Sequence, residues 1–200
     1  MTIEAGQAIP QATFQIKTDD GVDAYESTEY FASGRTILFA LPGAFTSTCS
    51  AKHLPEFVAR AGDLRAAGVD RIACLSVNDA HVMKAWGDIH GTDGKIDMIA
   101  DPHAEFARVL GLAVHMGPIL GERATRCAMI IDDGVLTKMM MEEVGAYEVS
   151  SPTHVITQLQ ELTALKSDQL SMELAAARAS SSHRSFISFP AWPLTQCQVT

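Results

Sequence analysis

Three short apolar runs, each followed by a helical pattern, constrain the fold of this chain more than any other feature. The runs are Arg35 to Ala40, Arg71 to Val77 and Ile96 to Ala100. Turn and capping residues follow each run, and apolar periodicity resumes after them. The predicted helices extend from after Thr48 to near Gly68, from Asn78 or Asp79 to Trp86 or Asp88, and from Ala104 to Leu110. Strands that alternate with helices in this way predict parallel βαβ units, and therefore an α/β fold.

Antiparallel elements are predicted at both ends of this pattern. The front of the chain resembles a β-hairpin, in which Ala12 to Ile16 and Val22 to Glu26 alternate around a turn. A later pair of strands, Arg126 to Ile131 and Val135 to Met141, flanks a second turn. A last helix begins at Pro152, after a serine cap. We therefore expect a mixed central sheet flanked by helices, with an N-terminal hairpin.

We interpret the chain as one domain over residues 1–165 and a C-terminal extension over residues 166–200. Hydrophobic residues make up 47% of the chain and charged residues 20%, which is typical of a globular domain with its own core. From about Lys166 the sequence becomes a short Ala-rich helical stretch and then a run that contains serines and prolines. We predict that this extension is weakly ordered, and the sequence assigns it no role.

Composition and charge argue against several classes of function. A net charge of −9 and a pI of about 5.1 provide no basic field for nucleic acid or for an anionic membrane surface. No apolar run is long enough to span a bilayer, and the start of the chain has no basic or apolar region of a targeting peptide. Phosphate-binding glycine motifs are also absent. We therefore expect a cytoplasmic protein that acts on small molecules.

Cys49 stands apart from the other cysteines of the chain, which lie at positions 74, 127 and 197. No CxxC pair is present, so we expect no bound metal and only transient disulfides. Cys49 falls in the first turn of a predicted helix, where unpaired N–H groups favour the nucleophilic thiolate. A helix end supplies about 0.3 to 2 kcal/mol, whereas full ionisation needs about 4 kcal/mol. A second positive group is therefore required.

An inert buried thiol is the more common role for a single cysteine, but the residues around Cys49 argue against it. Pro42, Thr46 and Cys49 match the pattern P-x-x-x-T/S-x-x-C, and the longer run Pro-Gly-Ala-Phe-Thr-x-x-Cys-Ser is followed by His53-Leu54-Pro55. This segment resembles the active site of the peroxiredoxins, and more narrowly of their type II branch, which is similar to peroxiredoxin 5. The resemblance covers residues 3 to 165.

The resemblance implies a thioredoxin-like fold and a peroxidase for hydrogen peroxide and small alkyl hydroperoxides, with no bound cofactor. Cys49 would be the peroxidatic residue, Thr46 would hydrogen-bond the sulfur and the peroxide, and Pro42 would shield the thiolate. The family's arginine stands at the start of a late strand, which Arg126 matches best and Arg123 less well. The resemblance also implies a homodimer whose contacts border the active-site loop, and electrons from glutaredoxin with glutathione or from thioredoxin.

A second thiol would have to reduce the sulfenic acid that forms on Cys49. Cys74 lies 25 residues further on, the spacing of the resolving cysteine in plant-like type II members, whereas the animal-like position at Val149 to Ser151 holds no cysteine. A βαβ unit would place the strand of Cys74 beside the strand that leads to Cys49, although a disulfide would require the first helical turn to unwind. Direct reduction by glutathione or a glutaredoxin, and a resolving role for Cys197, stay open.

Other interpretations carry less weight. His53 lies four residues after Cys49, as in a Cys-His hydrolase, but no third orienting group is evident and we interpret His53 as structural. Cys127 takes the place of a usual aromatic residue and is interpreted as a core thiol, and Trp86 as a packing residue. A general disulfide oxidoreductase would normally carry a CxxC pair, and a redox sensor would oxidise once without steady turnover.

Overall fold

The computed structural model describes residues 1–181. The chain separates into a compact unit of Met1–Gln160 and a second unit of Glu161–Thr200. No helix in the described part is long and apolar enough to cross a membrane. The strands and helices that position the candidate site all belong to the first unit.

Nine strands form two sheets within the described residues. They are β1 (Thr13–Lys17), β2 (Val22–Glu26), β3 (Arg35–Ala40), β4 (Arg71–Ser76), β5 (Asp97–Ala100), β6 (Ala113–His115), β7 (Glu122–Ala124), β8 (Cys127–Asp132) and β9 (Val135–Met141). The larger sheet has the order β2-β1-β5-β4-β3-β8-β9, and β6 pairs with β7 in the smaller one. β3, β4 and β5 run parallel, while β1, β2, β8 and β9 form antiparallel pairs. The apolar runs therefore form the parallel centre of the sheet.

Helices follow the strands of this sheet. They are α1 (Ser27–Tyr30), α2 (Leu54–Ala66), α3 (Ala80–His90), α4 (Glu105–Val109), α5 (Gly117–Leu120) and α6 (Pro152–Ser181). A π-helical turn, Cys49–His53, leads directly into α2. Asp79 starts α3 by accepting hydrogen bonds from the backbone N–H groups of His81 and Val82, and Gly91 ends it in the left-handed conformation with a φ of 67°.

The two faces of the large sheet carry different side chains. One face packs the aromatic rings of Phe14, Phe31 and Phe106 against residues of β3, β4 and β5. Because successive strand residues point to opposite faces, Phe39 of β3 and Cys74 of β4 lie on the other face. There the Phe39 ring stacks on Phe57 of α2, with 4.0 Å between ring centroids. The helix that begins at the candidate nucleophile therefore covers the face that carries the second candidate cysteine.

The predicted fold is confirmed, and most element boundaries differ from the prediction by one to four residues. The sequence did not predict α1, α5, β6, β7 or the π-helical turn, which are each three to five residues long. Segments this short follow tertiary contacts more than local propensity. The predicted domain boundary at residue 165 falls within α6 and stays a prediction. The extension predicted to be weakly ordered, residues 166–200, belongs to α6 as far as Ser181, and its remainder, with Cys197, lies outside the described residues.

Candidate active site

Cys49 lies at the first residue of the π-helical turn and is completely buried. The loop that leads to it continues the pairing of β3 with β4, since the N–H of Leu41 donates to the carbonyl of Leu75 at 3.2 Å. Phe45 in this loop has a φ of 62°, a conformation that non-glycine residues seldom adopt. The N–H of Ser50 then donates to the carbonyl of Thr46 at 3.0 Å. The sulfur is therefore fixed where the chain turns from sheet to helix.

The turn that starts at Cys49 is wider than an α-helical turn. The N–H of Leu54 donates to the carbonyl of Cys49, five residues earlier. Such π turns absorb an extra residue and are frequent at functional sites. Cys49 and His53, at the two ends of the turn, are both buried. The turn therefore directs a thiol and an imidazole into the same interior region.

Arg126 connects these two side chains. Its Nη2 donates to Cys49 Sγ at 3.5 Å, and its Nη1 donates to His53 Nδ1 at 2.9 Å. β8 begins one residue after Arg126, and Cys127 pairs with Ala40 at the end of β3. The strand pairing thus brings Arg126 to the end of β3, where the active-site loop starts. A guanidinium is a permanent cation with several donors, so it can bind both groups at once.

His53 must be neutral in this arrangement. Its Nδ1 accepts from Arg126, and its Nε2 donates to the carbonyl of Ser150 at 3.3 Å, which assigns the proton to Nε2. Burial, and secondarily the charge of Arg126, lowers the pKa of His53 to about 3. Neither ring nitrogen is hydrogen-bonded to the sulfur. His53 therefore holds the arginine, which agrees with its predicted structural role and leaves no Cys-His hydrolase pair.

Tyr147 covers the same arginine from another side. Its ring centroid lies 5.9 Å from Arg126 Cζ and 5.0 Å from the His53 ring centroid. The Tyr147 hydroxyl donates to Glu56 Oε2 at 2.7 Å, and burial together with this carboxylate raises the tyrosine pKa. Contact between a guanidinium and an aromatic face is attractive. Tyr147 had no signal in the sequence, because its partners are distant along the chain.

A cleft of about 620 Å³ lies against Arg126 and against the residues that directly precede Cys49. Pro42, Thr46 and Arg126 line it, with Met116 and Leu120 among the apolar residues of its walls. The Thr46 hydroxyl donates to the carbonyl of Gly43 at 2.9 Å. The predicted hydrogen bond from Thr46 to the sulfur is therefore not the one observed, because the hydroxyl proton is used within the loop. The oxygen of the Thr46 hydroxyl can still accept a hydrogen bond.

Arg123, the weaker arginine candidate, has a different set of contacts. Its Nη1 donates to the carbonyl of Val77 at 2.9 Å, and its Nε donates to the carbonyl of Leu120 at 2.7 Å. A Cβ atom at Gly43 would lie 3.2 Å from the Arg123 Nη1, so the active-site loop passes close to this side chain. Arg123 thus joins backbone segments around the site, while Arg126 contacts the sulfur.

Known proteins share this fold and much of this sequence. The Redoxin family model matches residues 4–156. Over 164 residues the chain is 42% identical to peroxiredoxin-2E-2, chloroplastic, of Oryza sativa subsp. japonica, covering 79% of this chain and 73% of that protein. This chain belongs to the peroxiredoxin family, type II. It is therefore a thiol-dependent peroxidase with an antioxidant function.

Solved structures of peroxiredoxins agree with this assignment. Reduced Prx3 from Vibrio vulnificus, in complex with hydrogen peroxide, gives a TM-score of 0.77 at 43% identity and covers 79% of this chain and 99% of that chain. Peroxiredoxin 5 from Alvinella pompejana gives a TM-score of 0.70 at 29% identity, covering 80% of this chain and 99% of that chain. The peroxiredoxin domain is therefore thioredoxin-like, as predicted.

Two further side chains fix the active-site loop of this peroxiredoxin. Asn78 Oδ1 accepts from the backbone N–H of Ala44 at 3.0 Å and from the hydroxyl of Ser76 at 2.7 Å. Trp86 Nε1 donates to the Ser50 hydroxyl at 3.0 Å. The sequence predicted Asn78 only as a possible helix cap and Trp86 as core. Each residue links the loop or the π turn to the segment that follows β4.

Cys74 is free and completely buried in β4, where it pairs with Phe39 of β3. Burial raises the Cys74 pKa well above its usual value, and interaction with Cys49 adds to the shift. Cys127 is also buried, which raises its pKa to about 12 and agrees with its predicted role as a core thiol. Cys74 is therefore a buried, neutral thiol in the strand that pairs with β3, which leads to Cys49.

The neutral state of His53 predicts an acid-labile site. The folded protein excludes the proton down to pH about 3, whereas an unfolded histidine binds it near pH 6.5. The contribution of His53 to the free energy of unfolding is therefore complete above pH 6.5. It decreases as the pH falls from there toward 3, and about 2 kcal/mol of it is lost at pH 5. We expect His53→Gln, measured by urea unfolding, to lose about 2 kcal/mol less than the wild type between pH 7 and 5.

The matched control for this experiment is His81→Gln, because His81 is exposed on α3. It should keep the wild-type loss of stability in acid. Parallel stability curves for the wild type and His53→Gln would show that His53 takes up its proton in the folded protein as readily as in the unfolded chain.

Proposed function

We propose that Cys49 is the peroxidatic nucleophile of this peroxiredoxin. Its thiolate attacks the terminal oxygen of a hydroperoxide, a sulfur–oxygen bond forms as the oxygen–oxygen bond breaks, and the departing alkoxide or hydroxide takes a proton. Cys49 becomes a sulfenic acid, and the substrate leaves as an alcohol or water. The observation that carries the proposal is the hydrogen bond from Arg126 Nη2 to Cys49 Sγ.

The helix end alone stabilises a thiolate too little, and Arg126 supplies the second positive group that is required. At about 4 Å, two opposite charges interact by about 4 kcal/mol at an effective dielectric constant of 20. Because Arg126 Nη2 lies within hydrogen-bond distance of the sulfur, the permanent charge of this guanidinium favours a thiolate there. The guanidinium also lies where oxygen develops negative charge as the peroxide bond breaks, which accelerates the reaction itself.

We infer that Thr46 and Pro42, which line the cleft, form part of the binding position of the peroxide. The Thr46 hydroxyl donates to Gly43, so its oxygen is free to accept a hydrogen bond from the peroxide hydroxyl. Pro42 contributes an apolar ring without an N–H group to the same cleft, which limits the access of water to the thiolate. Thr46 and Pro42 therefore bind the peroxide and limit the access of water, whereas Arg126 stabilises the negative charge of the sulfur and of the departing oxygen.

We expect Cys49→Ser to abolish peroxide turnover, because an alcohol cannot form the sulfenic acid. Arg126→Gln should lower kcat/KM by about 100-fold, since it removes the cation while keeping a donor. The control is Arg108→Gln, whose arginine is exposed and paired with Glu122. Stopped-flow consumption of hydrogen peroxide measures all three. Turnover by Cys49→Ser would place the chemistry on another residue.

We propose Cys74 as the resolving cysteine. Its thiol would attack the Cys49 sulfenic acid, forming the disulfide and releasing water. Support comes from its place on the sheet face that α2 covers and from its interaction with Cys49. Both sulfurs are completely buried, so the π turn must unwind before the disulfide can form and meet an external reductant. Glutaredoxin with glutathione, or thioredoxin, would then regenerate both thiols.

We expect peptide mass spectrometry, after one equivalent of peroxide, to find a disulfide between Cys49 and Cys74. Cys74→Ser should lose turnover with thioredoxin and keep turnover with glutathione and glutaredoxin, which reduce the sulfenic acid directly. Cys127→Ser is the matched control, because Cys127 is an equally buried strand thiol. Finding Cys49 only as a glutathione adduct would remove Cys74 from the cycle.

We infer a homodimer whose contacts border the active-site loop, in keeping with the resemblance to type II members. Phe45 supports it, because this aromatic residue of the active-site loop is 57% exposed. We expect a dimer by sedimentation velocity and weaker association for Phe45→Ser. A monomeric wild type at micromolar concentration would contradict the proposal.

A cytoplasmic location stays a prediction, and so does catalysis without a bound cofactor.

A further inference from the structure

The segment between β9 and α6 is organised around one buried carboxylate, that of Glu142. Its backbone N–H donates to the carbonyl of Arg126 at 3.0 Å, which extends the pairing of β9 with the segment before β8. Only 7% of Glu142 is exposed. A buried carboxylate is stable only when hydrogen bonds replace its hydration, so its partners identify what it holds in place.

One oxygen of Glu142 receives three hydrogen bonds from the segment that follows. Oε1 accepts from the backbone N–H of Glu148 at 2.6 Å, from the backbone N–H of Ser150 at 2.7 Å and from the Ser150 hydroxyl at 2.8 Å. Hydrogen bonds to an ionised acceptor are stronger than those between neutral groups. The residues from Glu142 to Ser150 therefore form a closed loop that is anchored at a single atom.

The anchored end of this loop reaches the catalytic arginine. The carbonyl of Ser150 accepts from His53 Nε2 at 3.3 Å, and Ser150 is itself completely buried. His53 Nδ1 in turn accepts from Arg126, whose other nitrogen contacts the sulfur. The position of one carbonyl group thus fixes the imidazole ring, and the ring fixes the guanidinium.

We propose that Glu142 is a positioning residue, which aligns Arg126 with Cys49 through Ser150 and His53. The proposal rests on the functions proposed for Cys49 and Arg126. Without the carboxylate, the backbone N–H groups of Glu148 and of the buried Ser150 would lack an acceptor, so the loop would rearrange to hydrate them. The Ser150 carbonyl would move, and Arg126 would lose the partner that orients it. An error of about 1 Å in such a group can slow a reaction about 100-fold.

The sign of the effect distinguishes this role from a direct effect of charge. Glu142 lines the same cleft as Arg126, and a negative charge there opposes ionisation of a thiol. If Glu142 acted through its charge alone, its removal would increase the thiolate fraction of Cys49. If Glu142 positions Arg126, its removal decreases that fraction. The midpoint of the pH dependence of iodoacetamide alkylation reads this fraction, whereas the limiting rate at high pH reads the access to the buried sulfur.

We expect Glu142→Ala to lower kcat/KM for hydrogen peroxide by about tenfold to 100-fold and to move the midpoint of Cys49 alkylation to higher pH. Glu142→Gln, which keeps an acceptor oxygen, should recover part of both losses. Glu105→Gln is the matched control, because it removes a carboxylate that is exposed on α4 and does not line the cleft, and it should stay within about twofold of the wild type.

A double variant tests the route through the imidazole. Adding Glu142→Ala to His53→Ala should lower kcat/KM little further, because residues that act through one another are not additive. Wild-type kinetics in folded Glu142→Ala, an alkylation midpoint at lower pH, or additive losses in the double variant would each overturn the proposal. If Glu142→Ala does not fold by circular dichroism, Glu142→Gln alone decides it. An unreactive Cys49 in the wild type would instead overturn the proposed function.

Discussion

The rest of the site depends on the contacts of a single guanidinium group, that of Arg126. Arg126 has one nitrogen on the sulfur of Cys49 and another on the imidazole of His53, so its position is determined from two directions. Tyr147 restricts it from a third. A flexible surface arginine would lose side-chain entropy on each encounter with substrate. Arg126 has already lost this side-chain entropy when the protein folds, so its charge is in place before the peroxide arrives.

Neutrality of His53 is what makes this arrangement possible. An imidazolium beside Arg126 would place two cations in a buried region, and its Nδ1 would no longer accept a hydrogen bond. Burial suppresses protonation and keeps the acceptor available. The imidazole therefore holds Arg126 as a neutral hydrogen-bond acceptor. Its partner on the other side, the carbonyl of Ser150, belongs to a loop with no regular secondary structure. Rigidity at this site thus comes from hydrogen bonds to specific atoms.

Sequence patterns predicted the fold well, since strands such as Arg35–Ala40 have both a continuous apolar run and clear turn residues at their ends. Cys49, Pro42 and Arg126 could be proposed because a long local motif and a strand start identify them. The contributions of Tyr147, Glu142 and Ser150 could not, because each depends on partners 70 or more residues away or on one loop conformation. Thr46 shows the limit within the motif itself, because a hydroxyl has several possible acceptors and only coordinates select one.

The π-helical turn has a consequence for how tolerant this region is to changes in length. It absorbs one residue more than an α-helical turn, which amounts to about 100° of rotation about the helix axis. That rotation allows Cys49 to face inward together with Phe57, which stacks against the sheet. A one-residue insertion or deletion between these two positions would turn the sulfur away from Arg126, whichever amino acid was involved. Over this stretch, the number of residues is as restrictive as their identity.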